Sequence, residues 1–133
     1  MDTIDTLLTH AKTIAVVGLS SKPDRASYQV AAYMQQHGYR IIPVNPKEDI
    51  VLGEQGYATL RDVPVHIDIV NVFRASKDVP PIIDEAIAIG AGAIWLQLEI
   101  THPDAEARAR SAGLVVVANR CIKIDHAQRT RTV

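Results

Sequence analysis

Ile14-Ala15-Val16-Val17-Gly18-Leu19-Ser20-Ser21-Lys22-Pro23-Asp24-Arg25-Ala26-Ser27 is the stretch on which the fold turns. Its first part is a short continuous apolar run closed by glycine, the pattern of a buried central strand leading into a turn. Beyond it, Val30, Tyr33 and Met34 recur at helical spacing. Ser27 is placed to act as the N-cap of that helix and Gly38 to end it. Buried strand, glycine turn and amphipathic helix in succession predict the first unit of an alternating α/β domain.

The alternation continues outward from this unit. Arg40-Ile-Ile-Pro-Val-Asn45 reads as a second strand, Ile67-Asp-Ile-Val-Asn-Val-Phe73 as a third, Ala93-Ile-Trp-Leu-Gln-Leu98 as a fourth and Leu114-Val-Val-Val-Ala118 as a fifth. Residues 78–89 predict a helix with Pro80 and Pro81 in its first turn, where missing amide hydrogens cost least. Residues 104–112 predict a shorter helix, residues 2–11 an amphipathic one packed at the domain edge, and residues 53–65 an irregular connection with a helical turn near 59–62. The polar, basic residues 123–131 read as a loose tail, or else as a segment that covers a ligand or contacts another subunit. The expected architecture is α/β: a Rossmann-like, doubly wound parallel sheet of about five strands with helices on both faces. Ligands of such folds bind at the carboxyl ends of the strands.

At 133 residues the chain is expected to be a single domain over residues 1–133. Apolar residues make up 47% of it while Phe and Trp occur once each, so Val, Ile, Leu and Ala must build the core, as suits a buried parallel sheet. The formal charge of −1 argues against a general nucleic-acid or membrane-surface binder, so any anion site must be local. The first residues lack the basic start and apolar run of a signal peptide, and no apolar segment approaches the ~20 residues that span a bilayer. A cytoplasmic location is expected. Cys121 is the sole cysteine, which excludes an internal disulfide and a cysteine-based zinc site, and the five histidines show no metal-binding spacing.

A dinucleotide fold would place G-x-G-x-x-G after the first strand, but Gly18 is followed by Ser20 and Pro23 at the other two glycine positions. The loop offers instead Ser20, Ser21, Lys22, Arg25 and Ser27 just ahead of a helix. Hydroxyl donors, positive charge and free helix amides together suit a phosphate; as a bare structural feature, Ser27 is a cap and the two cations are solvated turn residues. At the end of the second strand, where an NAD-binding protein carries an acid for the ribose hydroxyls, this chain has Asn45-Pro46-Lys47. A cation there favours a phosphorylated ribose, as in coenzyme A or NADP, over plain NAD. The third strand ends in Val72-Phe73-Arg74, which suits an adenine or a core phenylalanine beside a paired arginine. The fourth ends at Gln97, an amide suited to a pantetheine amide or to capping its own loop.

Together these segments resemble the stand-alone coenzyme A-binding domain proteins, themselves similar to the N-terminal domain of the succinyl-CoA synthetase α subunit. The resemblance covers nearly the whole chain through Ala15-Val-Val-Gly-Leu-Ser20, His37-Gly-Tyr-Arg-Ile-Ile-Pro-Val-Asn-Pro-Lys47, Asp68-Ile-Val-Asn-Val-Phe-Arg74, Ala93-Ile-Trp-Leu-Gln97 and Asn119-Arg-Cys-Ile-Lys123. It implies that Gly18, Ser20 and Lys22 approach the diphosphate of coenzyme A. It further implies that Asn45, Pro46 and Lys47 approach the adenosine phosphate region, Val72, Phe73 and Arg74 the adenine, and Gln97 the pantetheine arm. Two residues depart from the family pattern: Glu99 stands where glycine is usual, and Ile122 follows Cys121 where proline is usual. Both fall at the thiol end, where a charged or narrowed site would exclude an acyl group.

The resemblance also implies binding without ligase chemistry, because the phosphorylated histidine of the ligase lies outside the matching region. No nucleophile elbow or P-loop is present, and His102, beyond the fourth strand on the ligand side of the sheet, reads as a surface loop histidine or else as an acid or base. Cys121 reads as a small buried hydrophobe, or as a thiol able to form a mixed disulfide with the ligand. The expected function is therefore a coenzyme A carrier, sensor or accessory module, a monomer or weak homo-oligomer whose protein partner the sequence does not name. The rival expectations are a small NADP-dependent oxidoreductase and a nucleotide-responsive regulatory domain.

Overall fold

The computed structural model describes residues 2–47 and 49–130. Among them, strands β1 (Thr13–Val17), β2 (Arg40–Val44), β3 (Ile69–Val72), β4 (Ala93–Leu96) and β5 (Val115–Val117) form one sheet in the order β2-β1-β3-β4-β5. Every pairing is parallel. Helices α1 (Thr3–His10), α2 (Ala26–Gln36), α3 (Val79–Ala88), α4 (Pro103–Ser111) and α5 (Ile122–Thr130) cover its two faces. The Rossmann-like α/β architecture is thus as the alternation predicts.

Successive side chains of a strand point to opposite faces, and the core divides accordingly. Ile14, Val16, Ala93 and Trp95 pack with Leu8 of α1, Val30 and Met34 of α2 and Ile122 of α5. Ala15, Val17, Ile94 and Leu96 pack with Val79 and Ile83 of α3 and with Ala105 and Ala109 of α4. Both faces of the sheet are therefore dry, which explains why its strands read as continuous apolar runs. Pro43 is tolerated because β2 is an edge strand: its carbonyl accepts from the Tyr57 N–H at 3.0 Å, and the Asn45 N–H donates to the Tyr57 carbonyl at 2.9 Å.

Two local expectations are corrected. Ser27 is not the N-cap of α2: the helix starts at Ala26 with Arg25 in the cap position, and the Ser27 hydroxyl instead accepts the Ser20 N–H at 3.0 Å. Residues 123–130 are not a loose tail but the body of α5; residues 131–133 of that stretch lie outside the described residues. The inner face of α5 is Ile122, Asp125 and His126, all buried. Two of the three are polar, so the helical stripe is invisible to an apolar count. The strands also end sooner than the apolar runs, leaving Phe73, Gln97 and Leu98 in the loops beyond β3 and β4.

Candidate functional site

In the order β2-β1-β3, the chain leaves β1 toward one side for β2 and returns to the other side for β3. The loops after β1 and β3 therefore diverge and open a crevice between them. Gly18 makes the exit from β1 possible. Its φ is +88°, and a Cβ there would stand 2.6 Å from the Phe73 carbonyl oxygen. The loop that follows is internally braced, with the Ser20 N–H bonded to Ser27 Oγ and the Lys22 N–H donating to Ser20 Oγ at 3.1 Å. No side chain caps the start of α2 and no acid lies in its first turn. Its free amides open onto a cavity of about 420 Å³ lined by Gly18, Ser20, Lys22, Arg25, Ser27 and Lys47. A glycine exit, a braced hydroxyl loop and an uncapped helix start make an anion cradle.

Next to this cradle, a cavity of about 350 Å³ is lined by Ser20, Ser21, Lys22, Asn45, Pro46 and Lys47. Asn45 is 9% exposed; its Oδ1 accepts the Lys47 N–H at 3.0 Å, which fixes the turn. Its Nδ2 is buried with no hydrogen-bond partner among the described residues. An orphaned buried donor is costly, and the residue that carries it is part of the cavity wall. Lys22, Arg25, Lys47 and Arg74 border these cavities, and none forms an ion pair among the described residues.

Phe73 and Arg74 carry the groove across the end of β3 into a cavity of about 610 Å³. Its further lining includes Val30, Gln97, Leu98, Glu99, Ile100 and Cys121. Gln97 is 5% exposed, and its Oε1 accepts the Ile122 N–H at 3.1 Å, so half of its amide is committed to holding the start of α5. A proline at residue 122 would have no hydrogen to donate there. Glu99 has φ +69° and Asn119 φ +57°, and the Glu99 N–H donates to Asn119 Oδ1 at 2.6 Å. Glycine would adopt such a φ without strain, which is the physical content of the departure at residue 99.

Twelve of the thirteen candidate residues thus line one groove: Gly18, Ser20, Ser21, Lys22, Arg25, Ser27, Asn45, Pro46, Lys47, Phe73, Arg74 and Gln97. Val72 is the exception, because its side chain is fully buried in the α3 side of the core and only its backbone faces the strand ends. His102 is the N-cap of α4: its Nδ1 accepts the Ala105 N–H at 3.2 Å, and its own N–H donates to Glu106 Oε2 at 2.8 Å. Sequence reasoning missed Val30, Leu98, Ile100 and Asn119. The first three are ordinary apolar residues with no local signal, and Asn119 acts only through its φ and its partner. No cluster of three or more metal-ligating side chains occurs among the described residues. A cavity of about 430 Å³ at the opposite end of the sheet is lined by Thr3, Leu7, His10, Asp68 and Val115 among others. Neither Lys nor Arg borders it, so it lacks the charge that a phosphate requires.

An open α/β sheet with a cationic, helix-started crevice at its topological switch point defines a nucleotide-binding class of protein. Comparison with known families narrows the class. Residues 12–127 match the model of the CoA binding domain, and the chain belongs to that family. It is 41% identical over 124 residues to the uncharacterized protein YneT of Bacillus subtilis, covering 93% of this chain and 92% of that one. A solved structure from Thermus thermophilus superposes with a TM-score of 0.91 at 36% identity, covering 96% of this chain and 98% of that one. The α subunit of the ADP-forming acetate–CoA ligase II of Pyrococcus furiosus is 25% identical over 109 residues. That match takes in 80% of this chain but 24% of the ligase subunit.

Proposed function

We propose that this chain is a coenzyme A-binding module that holds its ligand along the groove described above, as a carrier, sensor or accessory domain without catalysis of its own. The diphosphate lies against the start of α2, between the amides of residues 26–28 and the side chains of Ser20, Lys22 and Arg25. Asn45, Pro46 and Lys47 receive the 3′-phosphate of the adenosine, Phe73 and Arg74 border the adenine, and the pantetheine arm runs past Gln97 toward Cys121. The chain is expected to act as a single domain in the cytoplasm, monomeric or weakly self-associating.

The observation that carries this reading is Asn45, whose buried Nδ2 has no partner among the described residues and which lines a cavity where three cations, Lys22, Lys47 and Arg74, outnumber one acid, Asp49. A ligand with several phosphates supplies the missing acceptor and the countercharge at once. Residues 12–127 matching the CoA binding domain family supports coenzyme A as that ligand.

Titration calorimetry with coenzyme A, dephospho-coenzyme A, NADP and NAD at one salt concentration tests the proposal. Coenzyme A is expected to bind tightest. Removing the 3′-phosphate should weaken binding by about tenfold, the scale of one charge-assisted contact. In Lys47→Glu, the preference for coenzyme A over dephospho-coenzyme A should vanish. Silence with coenzyme A together with binding of NADP would replace this reading with a reductase.

A further inference from the structure

The far end of the groove carries a charge pattern of its own. Val30, Phe73, Leu98, Ile100 and Cys121 give the 610 Å³ cavity an apolar and sulfur wall, and Arg74 and Glu99 are the charged side chains on it. Arg74 also borders the cavity beside Asn45 and Lys47, so its charge is shared with the phosphate end. Glu99 is exposed and forms no ion pair among the described residues. Its backbone is held in the left-handed region by the 2.6 Å bond to Asn119, itself left-handed, so the carboxylate springs from a fixed point at the cavity wall. Left-handed backbone is strained for a non-glycine residue, and a strained outlier beside a ligand groove is a reason to look for a role in ligand choice.

Resting on the proposal that coenzyme A occupies the groove, we propose that Glu99 is a specificity-determining residue. It admits the free thiol and small uncharged acyl thioesters and rejects thioesters whose acyl group ends in a carboxylate. The acyl group attached at the thiol enters the same apolar cavity as Glu99. A second carboxylate there meets a like charge across a mainly apolar wall, whose other polar side chains are Ser76, Gln97 and Arg74.

Calorimetry on the intact chain with coenzyme A, butyryl-coenzyme A and malonyl-coenzyme A separates charge from size, because the two acyl groups are similar in bulk and differ in a terminal carboxylate. The wild-type chain should bind the malonyl form about tenfold more weakly than the butyryl form at low salt. That gap should shrink at about 1 M salt, where charges are screened within a few ångströms. Glu99→Gln should bring the two ligands to near equality, and Glu99→Lys should reverse their order. Equal affinities in the wild-type chain, or a gap unchanged in both variants, would overturn the role of Glu99 while leaving coenzyme A binding intact. No binding of coenzyme A itself would overturn the groove assignment, and the selectivity with it.

Discussion

Gly18 and Glu99 share a left-handed backbone and answer to different constraints. At Gly18 the φ of +88° coincides with a carbonyl oxygen 2.6 Å from where a Cβ would sit. Gly18→Ala is therefore expected to cost about 3 kcal/mol and to push the Phe73 loop outward, lowering the thermal midpoint and weakening coenzyme A together. At Glu99 the φ of +69° involves an exposed side chain whose N–H is satisfied by Asn119. Relief of strain and the greater freedom of glycine in the unfolded chain oppose each other in Glu99→Gly. Stability should change by less than about 1 kcal/mol in a urea titration. A shift in acyl preference in that variant would then report the missing carboxylate rather than a loosened fold.

Helix α5 links the Cys121 end of the groove to the helical layer behind it. The Trp95 Nε1–H donates to the Arg120 carbonyl at 2.8 Å, and the Ile122 N–H reaches Gln97, so Cys121 is pinned between two anchored residues. Arg120 grips buried Asp125 through two bonds of 2.7 Å, and this pair raises the Arg120 pKa further above its ordinary range. Because the guanidinium is half exposed, Arg120→Ala should destabilise by about 2 kcal/mol, less than for a fully buried pair, with Trp95 fluorescence as the readout. Deeper along the helix, His126 shares a 2.8 Å hydrogen bond with the Tyr33 hydroxyl and packs edge-on against His37 and Tyr39. Lys123 lies over the Tyr33 ring, 5.5 Å from its centroid. Burial first, then His37 and Arg129, holds the His126 pKa below its ordinary 6.5. The unfolded chain therefore protonates there before the folded one. The stability due to the neutral ring is complete above pH 6.5 and is lost as pH falls below that value toward the depressed folded pKa. Urea midpoints should accordingly fall between neutral and mildly acidic pH, and His126→Gln should flatten that part of the profile.

For the molecule as a whole, the groove links ligand to stability. Four cations and one acid, Asp49, border its first two cavities, and a polyanionic ligand would supply the countercharge that the cations lack. Coenzyme A at about one hundred times its Kd should add about 2.7 kcal/mol. For a chain of this length that corresponds to a rise of about 10 °C in thermal midpoint. The rise should diminish with added salt and in Lys47→Glu, while NAD at the same concentration should produce little change.

The order of strands and helices was legible because each strand is buried on both faces and so reads as an unbroken apolar run, with Gly18 and Gly38 marking where β1 ends and α2 stops. The cationic half of the groove was legible for a related reason: Ser20, Lys22, Asn45 and Lys47 follow directly on strands whose carboxyl ends must lie side by side in any doubly wound sheet. The start of α2 was not, since Ser27 has the chemistry of a cap and loses that role to a bond with Ser20 seven residues earlier. Nor was α5, whose buried face is polar and is stabilised by Arg120, Gln97 and Tyr33 rather than by apolar spacing. The Cys121 end of the groove belongs to the same class: Val30, Leu98, Glu99, Asn119 and Cys121 come from α2, the β4 exit and the β5 exit, and meet only when the sheet has assembled. Local chemistry and periodicity settle which elements form, because they act between near neighbours in the chain. The groove's far wall rests on contacts between distant segments, which exist only once those elements have packed.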